Sequence, residues 1–133
     1  MTERATGPFD VKITPQSEDK AEGAALGRMS LDKTFHGDLT ATSRGEMLTA
    51  MGTVQGSAVY VAIERVKGSL HGRTGTFALA HKGTMTRGTQ HLTIDIVPDS
   101  GTDQLTGITG SMTIRIEAGG KHFYELSYTL PPG

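Results

Sequence analysis

The sequence predicts an all-β protein, a single antiparallel barrel of eight strands. Three observations lead to this reading. Short runs in which apolar and polar residues alternate recur along the chain. Glycine-containing turn signals separate those runs, and glycine is abundant, with 18 residues. No segment carries helical periodicity over the length of an ordinary helix. The 133 residues form one domain, residues 1–133, with 1–6 and 15–23 expected to be flexible. Eight strands that close on themselves leave no unpaired edge to invite aggregation.

In chain order, Gly7–Thr14 alternates Phe9, Val11 and Ile13 against polar residues and reads as a first strand. The charged stretch Pro15–Gly23 reads as a loop. Ala24–His36 holds a second strand with Met29, Leu31, Lys33 and Phe35 on one side, followed by a Gly37-Asp38 turn. Leu39–Met51 is a third strand with a bulge or bend expected at Gly45, after which Glu46, Leu48 and Ala50 share a face. Ser57–Val66, rich in β-branched residues, is the fourth strand, and Leu70–His81 the fifth. The sixth carries Gln90, Leu92, Ile94 and Ile96. Pro98–Gln104 is a loop, Leu105–Ile116 the seventh strand, and His122–Leu130 the eighth.

The stretch Gly45–Gly83 organises the rest. A hairpin turn at Lys67-Gly68 sets Glu64 opposite His71; one at Gly68-Ser69 sets it opposite Arg73. Both registers have the same parity. They place Tyr60, Ala62 and Glu64 on the face of His71, Arg73, Phe77 and Leu79, because strand side chains alternate between faces. A second turn at Lys82-Gly83 continues the apolar stripe, which is taken as the inward face, with His81 at a rim. Val59, Val61 and Ile63 then face outward. Exposed apolar residues of that kind call for covering, so a homo-oligomer is expected.

Composition narrows the function classes. The net charge is −1, with no basic run, so no nucleic-acid partner is expected. There is no cysteine, hence no thiolate nucleophile or zinc–thiolate site. No apolar run approaches the ~20 residues of a membrane helix, so no membrane partner is expected. The N-terminus lacks the pattern of a secretory signal, and a cytoplasmic location is the default expectation. The Gly-containing loops lack the strand-then-helix setting of a phosphate site, and no cofactor is expected.

The segments FHGDL (Phe35–Leu39), RGEML (Arg44–Leu48), GSAVYVAIERVKGSLHGRTGTF (Gly56–Phe77), HKGTM (His81–Met85), VPDSGTDQLTGITG (Val97–Gly110) and GKHFYELSYTL (Gly120–Leu130) resemble a bacterial family of domains of unknown function, number 3224. The resemblance runs from Phe9 onward. It implies an allene-oxide-cyclase-like barrel of eight antiparallel strands around a cavity, and no established activity. Relatives by fold include isomerases and cyclases of hydrophobic small molecules, which is analogy at the level of fold. The chain departs from the family pattern around Arg87–His91, and no role is carried onto His91.

Glu64 with His71 and Arg73 is the sharpest constellation. A carboxylate in an apolar cavity is a candidate general base, with Tyr60 or Arg73 stabilising the anion that forms. The structural alternative is an ion pair closing the barrel end. Glu46, beyond the expected bulge, is a second candidate catalytic carboxylate, or an outward ion-pair partner. Phe77, His81, Tyr124 and Tyr128, with Tyr60, His71 and Arg73, are candidate ligand-binding residues, and the tyrosines serve equally as core aromatics. No metal site is expected, because His71 and His81 are separated by about 33 Å of extended strand and His91 falls on the other face. The methionines read as core filler or as an adaptable apolar lining. The expected function is binding of a small hydrophobic molecule in the cavity, with isomerase, cyclase or carboxylate-led proton-transfer chemistry as its catalytic extension. The alternative is a non-catalytic carrier or a structural oligomer with a closed barrel.

Overall fold

The computed structural model describes residues 2–20 and 22–132. Met1, Ala21 and Gly133, which belong to the N-terminal stretch, the charged loop and the C-terminal PPG, lie outside the described residues. Eight strands follow one another: β1 (Glu3–Asp19), β2 (Ala25–Phe35), β3 (Leu39–Met51), β4 (Ala58–Leu70), β5 (Arg73–Thr86), β6 (Thr89–Ile96), β7 (Thr109–Glu117) and β8 (Lys121–Thr129). Each pairs antiparallel with its sequence neighbours, and β1 also pairs with β8, so the sheet closes into a barrel.

Closure corrects the reading of the N-terminal segment. Glu3–Thr6, expected to be flexible, supplies the partner that β8 needs, with Glu3 opposite Tyr128 and Thr6 opposite Glu125. Residues 15–19, expected in a loop, continue β1 past a bulge at Gln16, between Pro15 and Ser17. Proline cannot donate to a ladder and is tolerated at such an irregularity. Glu18 and Asp19 fit in a strand here because this end of the hairpin is exposed.

Two turns also lie elsewhere than expected. β4 and β5 join through His71-Gly72, with Leu70 opposite Arg73, and β5 and β6 through Arg87-Gly88, with Thr86 opposite Thr89. All four turn residues have positive φ, the requirement of the tightest hairpin turn. Gly68 and Gly83, taken as turn glycines, are inside strands. They mark close approach instead: a Cβ on Gly68 would sit 2.3 Å from the Thr40 carbonyl oxygen, and one on Gly83 would sit 2.1 Å from the Tyr60 ring. The displacement of each turn keeps parity, so the inward assignment of Tyr60, Ala62, Glu64, Phe77 and Leu79 holds.

The barrel has two unlike halves. The lower half, toward the β2–β3 and β4–β5 turns, is filled by Phe9, Phe35, Leu39, Val66, Leu70, Phe77, Leu79, Tyr124, Leu126 and Tyr128. The segment expected to open the seventh strand at Leu105 forms a short 3-10 turn, Asp103–Leu105, instead. Leu105 and Ile108 are buried there as a plug. The inward face of β8 is the one carrying Tyr124, Leu126 and Tyr128. The upper half is looser. Only two residue pairs, Ile94–Met112 and Asp95–Ser111, join β6 to β7, so the wall parts above them. Val59, Val61 and Ile63 lie on the outer wall, beside Leu48, and Ile63 is 63% exposed.

Candidate functional site

Between the two halves sits a buried polar cluster made by four strands, with His81 contributed by β5. β2 alternates Leu31, Lys33 and Phe35 inward, β3 alternates Ala41, Ser43 and Gly45, and β4 alternates Ala62, Glu64 and Val66. Gly45 is directly opposite Glu64, with Leu31 on its other side. A Cβ on Gly45 would lie 2.1 Å from the Ile63 carbonyl oxygen and 2.6 Å from the Glu64 Cα. Glycine therefore lets β3 approach β4 closely at the level of the carboxylate. The expected bulge is absent; β3 keeps an unbroken register with both neighbours.

Glu64 is 1% exposed and its two oxygens are fully engaged. Oε1 accepts from the Ser43 hydroxyl at 2.7 Å, and Oε2 accepts from Lys33 Nζ at 2.7 Å. His81 Nε2 lies 2.6 Å from the same Oε2, off the line of an ideal hydrogen bond. The Lys33 ammonium also stands 5.5 Å above the Phe9 ring centroid. Burial by itself pushes the Glu64 carboxyl up, but the His81 contact and the Lys33 charge outweigh it and hold the pKa at about 2. Glu64 is thus a fixed anion at neutral pH.

A pH dependence follows. The folded pKa is below the ordinary value of 4.5, so the group's stabilisation is present above that value and is lost as pH falls toward about 2. We expect Glu64 to contribute on the order of 3 kcal/mol to an acid-induced loss of stability over that window. Urea unfolding at a series of pH values checks it: Glu64→Gln should flatten the dependence between pH 4.5 and 2 relative to the parent.

Above the cluster the barrel opens. A cavity of about 430 Å³ is lined by Met29, Met47, Met51, Tyr60, Met85, Leu92 and Ile116, among others. Met29, Met47 and His81 occupy one level of the barrel, so the imidazole lies at the floor of this mouth. A second depression, about 850 Å³, is on the outer wall across β2–β5, among Asp32, Arg44, Glu46, Arg65 and Lys67. Lys33, Ser43, Gly45 and Glu64 also border it.

The structure distributes the candidate residues over three places. Tyr60, Glu64 and His81 come together at the mouth and its floor, and His81, expected at a rim, is buried. His71 and Arg73 are not near Glu64: His71 is in the lower turn and Arg73 follows it, because that turn lies three residues beyond the nearer expected one. His71 there makes a short hydrogen bond to the Tyr128 hydroxyl and stands near Glu3 and Asp38. Phe77 is core. The Tyr124 hydroxyl accepts from Leu39 N–H and donates to the His36 carbonyl, tying down the β2–β3 turn. Glu46 is outside the barrel, paired with Arg28 at 2.6 Å, since uninterrupted alternation turns it away from the interior. Sequence reasoning missed Lys33 and Ser43 as partners of Glu64. The signal was a lysine flanked by Leu31 and Phe35 on an apolar stripe.

Comparison with known proteins agrees with this architecture. A family model described as "Protein of unknown function (DUF3224)" matches residues 5–128. A crystal structure of a DUF3224-family protein of unknown function from Shewanella oneidensis MR-1 superposes with a TM-score of 0.92 at 51% identity, covering 99% of this chain and 100% of that one. No curated protein matches. The chain, an all-β closed barrel of eight antiparallel strands, belongs to the DUF3224 family.

Proposed function

We propose that this barrel binds a small hydrophobic molecule in the methionine-lined mouth and acts as a carrier or sensor rather than as a Glu64-led catalyst. The observation that carries this reading is the mouth itself. Its size falls in the ~300–1,000 Å³ range of small-molecule sites, and four methionines give it walls that adapt to shape. The parted β6–β7 wall supplies a path inward. Carboxylate-led proton transfer draws no support from the interior, because a general base works best with a pKa near the operating pH, and Glu64 is held at about 2. The cluster serves instead as a rigid polar floor.

Titration with the neutral fluorophore N-phenylnaphthylamine tests this. We expect a saturable rise in fluorescence at one probe per chain. Met47→Trp, which fills the mouth, should weaken binding by about tenfold, the equivalent of ~1.4 kcal/mol. A linear, unsaturable signal with the parent protein would defeat the proposal.

A further inference from the structure

The chemistry of the mouth also selects among hydrophobic ligands. Resting on the cavity-binding reading above, we infer that the site takes a neutral molecule bearing a hydrogen-bond acceptor, such as a ketone or ester, received by the Tyr60 hydroxyl, and that it rejects carboxylate amphiphiles.

Four observations support this. First, the Tyr60 ring is fixed: it packs flat enough on Gly83 that any Cβ there would overlap its Cε1, Cδ1 and Cζ atoms. A ring so placed holds its hydroxyl in one region of the cavity wall. Second, that hydroxyl has no hydrogen-bond partner among the described residues, unlike those of Tyr124 and Tyr128, which are engaged with the protein. A half-buried donor in an apolar wall is free for a ligand acceptor. Third, among the described residues no Asp, Glu, Lys or Arg lines the mouth. A ligand carboxylate would be stripped of water with no cation to meet it, since the ammonium of Lys33 is already bound to Glu64. Fourth, the buried charges beneath the mouth, Lys33 and Glu64, compensate each other in an ion pair, so the floor offers no free cation to an incoming anion. Burial first, and the Glu64 charge second, also push the Tyr60 pKa up, so the phenol stays a donor at physiological pH.

The remaining polar groups at the mouth do not alter this. Thr49 and Thr84 are neutral, Gln90 leans on the Met85 sulfur at 3.8 Å, His91 is exposed on the outer side of β6, and His81 at the floor is turned to Glu64. None supplies a permanent counter-charge.

The test uses three ligands on one carbon skeleton, butylbenzene, butyrophenone and phenylbutyrate, each displacing N-phenylnaphthylamine from the full chain at pH 7. Butyrophenone should bind about three- to tenfold more tightly than butylbenzene, the increment of one hydrogen bond. Phenylbutyrate should be the weakest of the three. In Tyr60→Phe, which keeps the ring over Gly83, the ketone should fall to the level of the hydrocarbon while butylbenzene is unchanged. Phenylbutyrate binding as well as the ketone, or a ketone preference that survives Tyr60→Phe, overturns the inference while leaving cavity binding intact. Failure of the probe and of butylbenzene to bind at all overturns both.

Discussion

Glu64→Leu is expected to lower the unfolding free energy by about 3–5 kcal/mol, the usual result of leaving one partner of a buried ion pair alone. Lys33 cannot reach water from its place inside the barrel, and its ammonium would face Phe9, Ser43 and His81 without a counter-charge. In a domain of this size that corresponds to a fall in Tm of about 10 °C or more. The double variant Lys33→Met/Glu64→Leu should regain most of the loss, because a buried pair replaced by well-packed apolar groups is often neutral. Urea unfolding of the parent, both single variants and the double variant reads the coupling between the two residues directly. If Glu64→Leu is as stable as the parent, the cluster has no role in holding the barrel. If the double variant is no better than Glu64→Leu, the cost lies in the changed packing and not in the charge.

Gly45→Val is expected to cost about 2–3 kcal/mol, at the upper end of ordinary overpacking. No relaxation of a flexible side chain can relieve the clash, because the atoms in the way are the Ile63 carbonyl oxygen and the Glu64 Cα. Separating β3 from β4 would also pull Ser43 from the Glu64 carboxylate, so the variant should titrate in acid less steeply than the parent. Gly72→Ala is the contrasting case. Its φ is +81° with nothing within 4 Å of a new Cβ, so only backbone strain applies. That change should cost about 1 kcal/mol. Similar losses at the two positions would contradict the close-approach explanation.

The two variants also show what was legible in the sequence. Period-two alternation assigned the faces of β4 and β5, and parity survived even where the turns were misplaced. Tyr60 and Glu64 were recognisable as interior for that reason. Alternation left the inward face of β8 open, and the bulge expected at Gly45 left Glu46 open on β3. Glycine was the ambiguous letter. At His71-Gly72 it makes a turn, whereas at Gly45, Gly68 and Gly83 it allows two pieces of chain to come close, and local sequence does not separate these uses. The error at Gly68 gave Glu64 the wrong cross-strand partners. Its true partners come from β2, β3 and β5, and the side-by-side pairing of β2, β3 and β4 brings Lys33 and Ser43 to it. The strand character of Glu3–Thr6 was hidden likewise, since its partner β8 lies at the other end of the chain.

The most direct measurement is a carbon-13 methyl NMR titration of the methionines with N-phenylnaphthylamine. Met29, Met47, Met51 and Met85 line the mouth, and Met112 is buried at the β6–β7 seam as an internal reference. Binding in the mouth predicts saturable shifts at the first four with one common dissociation constant, and little change at Met112. Absence of shifts at the mouth methionines while the probe binds would place the ligand elsewhere on the protein and contradict the proposed site.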